Sequence, residues 1–201
     1  MAGLEYIEKF IDGCHSILNA LSREDIDAVV NVLYRAWQEE KRVFIMGNGG
    51  SASTASHFAC DLSKWTIAED KKRFKVIGLT DNIPLMSAWI NDAGFENLFA
   101  EQMKNHFQPG DIVIGISVHG GSGKDRAGQW SQNLIKAMET AKENGGITIG
   151  FSGFDGGIMK NIAQYCIVVP FNTTPHVESF HVVLEHLICE RLRQLIAEKK
   201  E

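Results

Sequence analysis

Val43-Phe44-Ile45-Met46-Gly47-Asn48-Gly49-Gly50-Ser51 is the stretch on which the fold turns. Four apolar residues in a row, closed by glycine, read as a short strand buried on both faces. The glycines then lead through Ser51, Ser53 and Thr54 into a helical segment over 51–63, a strand-to-helix turn. Downstream, apolar runs of the same kind recur at 76–79, 112–116, 147–151 and 166–169. Helical segments over 84–91, 96–106, 129–144 and 156–162 lie between them. Such alternation predicts an α/β fold: a doubly wound, five-stranded parallel sheet with helices on both faces. Upstream, residues 1–40 read as a helix pair. Ile7, Phe10, Ile11, Cys14, Ile17 and Leu18 form one stripe at helical spacing, and Ile26, Val29, Val30, Leu33, Ala36 and Trp37 form a second. Ser22 is the expected N-cap of the second helix. With no linker, repeat or low-complexity tract, residues 1–201 are read as one domain.

The final helix, over 175–199, carries two patterns. Phe180, Val183, Leu184, Leu187 and Leu195, with Ile188 at the edge, form the expected core stripe. Glu178, Val182, Glu185, His186 and Cys189 mix apolar and ionisable residues on another side, which predicts burial of that side against a second subunit.

Composition narrows the function. The 201 residues carry 20 Lys and Arg against 25 Asp and Glu, a formal charge of −5. No basic cluster beyond Lys71 to Arg73 is available to neutralise phosphates along a nucleic acid, so none is expected as a partner. Cys14, Cys60, Cys166 and Cys189 form no C-x-x-C pair, which argues against a disulfide framework and a thiolate zinc site. MAGLEYIEKF lacks the basic and apolar regions of a secretion signal, and no apolar run reaches the roughly 18 residues of a membrane span. A cytoplasmic protein without membrane contact is expected.

In open parallel sheets ligands bind beyond the carboxyl ends of the strands, where strand order reverses. Asn48, Gly49, Gly50 and Ser51 follow the first strand there. Backbone amides freed by glycine, a helix N-terminus and hydroxyls make an anion cradle. Ser117-Val118-His119-Gly120-Gly121-Ser122-Gly123-Lys124 follows the third strand and repeats that chemistry. Either loop alone reads equally well as a tight turn; two together suit one phosphate with polar groups beside it. Gly47-x-Gly49-x-x-Ala52 fits a dinucleotide fingerprint, but its acidic ribose partner is missing: Glu69 and Asp70 precede the second strand and Asp81 comes too late. No nucleotide cofactor is expected. A Walker A loop is excluded because Asp125 follows Lys124.

His57 and Asp61, at i and i+4, project from one helix face near the first cradle, as metal ligands, an acid–base couple or an ordinary intrahelical contact. On the last helix Glu178 and His186 stand about 80° apart around the axis and can address one cleft. His181 and Glu185 form a competing pair. Spacing does not choose between them.

The stretch GNGGSASTASHFACDL, the NDAGFE segment at 91–96, the IS-x-x-G-x-S loop at 116–122, GFDGG at 153–157 and ESFHVVLEH in the final helix resemble the sugar-isomerase (SIS) domain family. Within it they are most similar to the phosphoheptose isomerases. The resemblance implies a flavodoxin-like SIS domain and an aldose/ketose isomerase that converts sedoheptulose 7-phosphate to a heptose 7-phosphate through an enediolate. It implies a homotetramer with interfacial active sites and a divalent metal, zinc, in each. Ser51, Ser117 and Ser122 would hold the phosphate, with Asn48 and Asp92 on the sugar and His119 beside the phosphate. His57, Asp61, Glu178 and His186 would hold the metal, and Asp61, Glu178 and His186 would move protons. Asp61 stands where the family has Glu, and Glu178 where it has Gln; both keep oxygen donors. The alternative is a noncatalytic SIS module that binds a phosphosugar or a protein partner and regulates.

Overall fold

The computed structural model describes residues 2–121 and 131–199. Its helices are α1 (Ala2–Ala20), α2 (Arg23–Gln38), α3 (Gly50–Lys64), α4 (Ile83–Ala93), α5 (Leu98–Lys104), α6 (Gln132–Glu143), α7 (Met159–Ile162) and α8 (Thr174–Glu198). A 3-10 turn, Phe95–Asn97, joins α4 to α5. The strands are β1 (Arg42–Gly47), β2 (Lys75–Gly78), β3 (Ile112–Ile116), β4 (Ile147–Gly153) and β5 (Tyr165–Val169). All pairings are parallel, in the order β2-β1-β3-β4-β5. Every strand expected from an apolar run is present.

Strand alternation sorts the core into two layers. Val43 and Ile45 of β1, Ile112 and Ile114 of β3, and Ile149 and Phe151 of β4 face the layer made by α2, α3 and α8. Phe44, Met46 and Val113 face the layer of α5 and α6. From β1 the chain crosses to β2 on one side, then returns past β1 to β3 on the other. The carboxyl ends of β1 and β3 therefore carry loops that diverge, and a crevice opens between them.

Helix α2 starts as expected, the Ser22 hydroxyl accepting the Asp25 backbone N–H at 3.1 Å. Helix α1 departs from expectation. Of its apolar stripe only Ile17 is fully buried, while Ile7, Ile11 and Leu18 are exposed together with Leu4 and Tyr6. Its docking rests instead on His176, whose imidazole stacks on Phe10 with ring centroids 3.9 Å apart. His176 Nε2 lies 2.9 Å from the Phe10 carbonyl and Nδ1 lies 2.6 Å from the Thr173 hydroxyl.

Helix α8 is rotated relative to the expected stripe. Phe180, Leu184 and Ile188 are buried, but Val183 and Leu187 are each 46% exposed, and Glu185 and Cys189 are wholly buried. The reason is that α8 packs against both α2 and α3 as well as the sheet. The mixed side assigned to a second subunit is thus partly covered by α3 of the same chain.

Candidate active site

The crevice between β1 and β3 is a cleft of about 320 Å³. Asn48, Gly49, Gly50 and Ser51 form one wall, Ile116 to His119 and Ser131 the other, and Thr174 and Glu178 of α8 close it. Gly49 has φ +56°, a left-handed conformation that turns the chain into α3 with no side chain in the way. The first N–H groups of α3 have no intrahelical acceptor and carry the positive end of the helix dipole. Ser51 and Ser117 are nearly buried, 4% and 6% exposed, at opposite sides of the cleft. Among the described residues no Lys or Arg lines it, so an anion there is met by amides and hydroxyls.

Most of the expected cradle residues therefore come together: Asn48, Gly49, Gly50, Ser51, Ser117 and His119. His119 also packs against Phe154, the rings tilted by 39° with centroids 4.3 Å apart. Ser122 lies outside the described residues. Asp92 does not line the cleft; it sits exposed in the last turn of α4, accepting from the Asn91 side chain at 2.7 Å. Three lining or supporting residues were not expected. Ser131 Oγ stands 3.4 Å from Ser117 Oγ, and Thr174 lies at the mouth of the cleft. Asn133, fully buried, exchanges two 2.9 Å amide hydrogen bonds with Asn48. Only Ser131 and Asn133 sit in a recognisable context, the first turn of a helix after the β3 loop.

A second cleft, about 310 Å³, continues from the first past Gly50 and Glu178 to Ser53, Thr54, His57, Ser179 and Val182. Glu178 lines both. Its carboxylate rests against Gly50, where a Cβ would stand 2.5 Å from Oε1, so a larger residue at 50 would displace the Glu178 carboxylate.

Beside this cleft four donors converge: His57, Asp61, Glu185 and His186, one ligand atom of each within 4.8 Å of all the others. His57 Nδ1 stands 3.3 Å from Glu185 Oε1, and His57 Nε2 stands 3.9 Å from Asp61 Oδ2. His186 Nε2 lies 3.6 Å from the same Asp61 oxygen and 3.5 Å from Glu185 Oε1. Glu178 is not in this group. It stands eight residues before His186 on α8, about 12 Å along the axis, and lines the cleft together with His57. Glu185, which the sequence reading paired with His181, stands in the group instead. Nor do His181 and Glu185 pair. His181 points into the sheet, Nε2 bonding the Ser152 carbonyl at 3.1 Å, and its burial lowers its pKa to about 4.

Glu185 is the electrostatic anomaly. Its side chain is fully buried, and neither oxygen has a hydrogen-bond partner. Burial first, and the charge of Asp61 second, push its carboxyl up to about 8. The same causes, in the order burial, Glu185 and Asp61, raise the neighbouring Cys189 thiol, which is inert as a nucleophile. A divalent cation among these donors would supply the missing partner, and two neutral imidazoles with two carboxylates are a donor set that suits zinc. The residues present fit such an ion.

A doubly wound sheet with serine and glycine loops at its reversal point is the architecture of the SIS domain family, and the chain belongs to it: the SIS domain model matches residues 5–153. Phosphoheptose isomerase from Aneurinibacillus thermoaerophilus is 32% identical over 202 residues, covering 98% of this chain and 96% of that protein. The lincomycin biosynthesis protein LmbN of Streptomyces lincolnensis is 39% identical over 173 residues, covering 84% of this chain; the chain spans 62% of that longer protein. Among solved structures, a phosphoheptose isomerase from Francisella tularensis superposes with a TM-score of 0.83 at 23% identity, over 96% of this chain and all of that one.

Proposed function

We propose that the protein is a phosphosugar aldose/ketose isomerase that interconverts sedoheptulose 7-phosphate and a heptose 7-phosphate. The observation that carries this is the continuity of the two clefts: an anion cradle leads, past the Glu178 carboxylate, to His57, one of a group of two histidines and two carboxylates. Curated relatives named phosphoheptose isomerase align over nearly the whole chain. In this reading the phosphate sits between Ser51 and Ser117, with Ser122 completing the cradle, and Asn48 meets the sugar. The reacting carbons extend toward Glu178 and His57. Moving a carbonyl to the neighbouring carbon requires a base, an acid and stabilisation of an oxyanion. Asp61, Glu178 and His186 are the proton-transfer groups within reach. Zinc, held by His57, Asp61 and His186, supplies Lewis-acid polarisation of the sugar carbonyl when bound.

The assembly in this reading is a homotetramer with interfacial sites, in the cytoplasm. It is supported by the outward apolar residues Leu4, Ile7, Ile11 and Leu18 of α1, and by the exposed Val183 and Leu187 of α8. No helix among the described residues is long and apolar enough to cross a membrane.

The test is an isomerisation assay of the purified protein over ketose phosphates of five to eight carbons, with light scattering for assembly. The seven-carbon substrate should be turned over fastest. Ser51→Ala and Ser117→Ala should each raise its KM roughly 10- to 100-fold, since a hydrogen bond to a charged group is worth about 1.5–3 kcal/mol. An inactive protein that still binds these phosphates would identify a regulatory module instead.

A further inference from the structure

We infer that His176 is a positioning residue: it pins α1 to the first turn of α8, and through that turn the seating of α1 sets the lip of the phosphate cleft. The inference goes beyond the isomerase reading and rests on it only where turnover is measured.

Little else holds α1 in place. Ile17 alone of its apolar stripe is fully buried, whereas His176, itself only 7% exposed, meets the helix in three ways. Its ring stacks on Phe10, its Nε2 stands 2.9 Å from the Phe10 carbonyl, and its edge lies against Gly13. A carbonyl can only accept, so Nε2 donates. Phe171, in the loop before α8, covers the imidazole from another side with ring centroids 4.6 Å apart. Wedged between two aromatic side chains, the imidazole has no room to swing aside. Glycine inside a helix is destabilising relative to alanine. Gly13 answers to the wedge: a Cβ there would stand 2.6 Å from His176 Nε2 and 2.9 Å from Phe171 Cζ.

The other end of this bracket reaches the cleft. An N-cap threonine ordinarily turns its oxygen onto an N–H of the first helical turn. Thr173, the N-cap of α8, makes no such bond; its hydroxyl stands 2.6 Å from Nδ1 of His176, the third residue of the helix. The imidazole, rather than a side-chain cap, therefore fixes this turn. Thr174 in the same turn and Glu178 in the next close the cleft. The turn brings to the anion a hydroxyl, N–H groups without intrahelical acceptors and the positive end of the helix dipole. Its withdrawal should weaken anion binding with Ser51 and Ser117 left in place.

The experiment compares His176→Phe, His176→Gln and Gly13→Ala with wild type in the full chain; neither position lines either cleft. Calorimetry follows binding of inorganic phosphate, and KM and kcat are measured with sedoheptulose 7-phosphate. Hydrogen–deuterium exchange reports on α1, circular dichroism on folding and light scattering on assembly. Gly13→Ala makes α1 a better helix by itself, so a loss it causes comes from the bracket. In His176→Phe and Gly13→Ala the α1 amides should exchange about tenfold faster or more. Phosphate affinity should fall and KM should rise about tenfold, with folding and assembly unchanged and kcat altered much less. His176→Gln, which can still donate to the Phe10 carbonyl, should fall between wild type and His176→Phe. Faster α1 exchange with unchanged phosphate affinity would make the bracket merely structural and overturn the inference. So would unchanged exchange in both variants, a loss of affinity that follows a change in assembly, or a wild-type chain that binds no phosphate. If wild type binds phosphate, both variants bind it more weakly and no ketose phosphate is isomerised, the isomerase reading fails and the positioning role of His176 stands.

Discussion

Replacing either His57 or His186 by alanine is expected to strip the cation and abolish isomerisation, whereas His181→Ala leaves the cation in place. Losing only an outer hydrogen-bond partner of a ligand costs about 10- to 100-fold in metal affinity. Loss of a ligand itself should therefore exceed a hundredfold. The three histidines are well matched for comparison, because two of them share α8 and lie five residues apart, about 140° around its axis. His186 turns toward Asp61 and Glu185, and His181 turns into the sheet toward Ser152. Metal analysis of the three variants, together with binding of inorganic phosphate to the cradle, checks the assignment. Phosphate binding should survive in all three. Equal metal retention in His186→Ala and His181→Ala would return α8 to a structural role.

The second large effect concerns acid stability. His181 is buried as a neutral imidazole, and its pKa falls from an ordinary 6.5 to about 4 because burial penalises the charged form; the hydrogen bond to the Ser152 carbonyl opposes this and is outweighed. Between those values the unfolded chain binds a proton that the folded chain does not. Folding stability should therefore be undiminished by this residue above pH 6.5 and should decline as the pH falls toward 4. At 1.36 kcal/mol per pH unit, the full loss is about 3 kcal/mol. His181→Phe keeps the volume and removes the titration. Urea denaturation at a series of pH values should show the wild-type slope flattened over this window in the variant. The variant should also be less stable at neutral pH by about 1–3 kcal/mol, because the Ser152 carbonyl loses a donor. An unchanged pH slope would contradict the burial argument.

How much of this was legible in the sequence depended on the physical signal each feature leaves. Buried parallel strands leave unbroken apolar runs, so β1, β3 and β4 could be read directly, and the loops after β1 and β3 could be placed at the reversal point. Glycine followed by serine and a helix is likewise a local signal, and Asn48 to Ser51 and Ser117 do meet in one cleft. The donor group was half legible. His57 and Asp61 share one helix face, but that Glu185 stands beside them while Glu178 lines the neighbouring cleft depends on the height of each along α8 and the position of α3 beside it. A helical wheel gives angle and discards height. The same missing information misplaced Val183 and Leu187, assigned to the core and found exposed, and put Cys189 at a subunit contact when α3 helps to cover it. Stripe periodicity in α1 was real, but its burial was not, because periodicity shows that a face is apolar without showing what covers it. Asn133 could be placed in the first turn of a helix after the β3 loop, but its pairing left no signal: its partner lies 85 residues away.

That last pair governs how substitutions on the two sides of the cleft combine. Asn48 and Asn133 each give one amide N–H and one oxygen to the other, across the opening between β1 and β3. Replacing Asn48 breaks two bonds at once and strands the buried Asn133 amide, while altering the second adds little further loss, so the two substitutions are far from additive. A change at either position should therefore cost nearly as much as a change at both. Two residues coupled in this way act as one clasp, and it sets the spacing of the two loops across the mouth of the cleft.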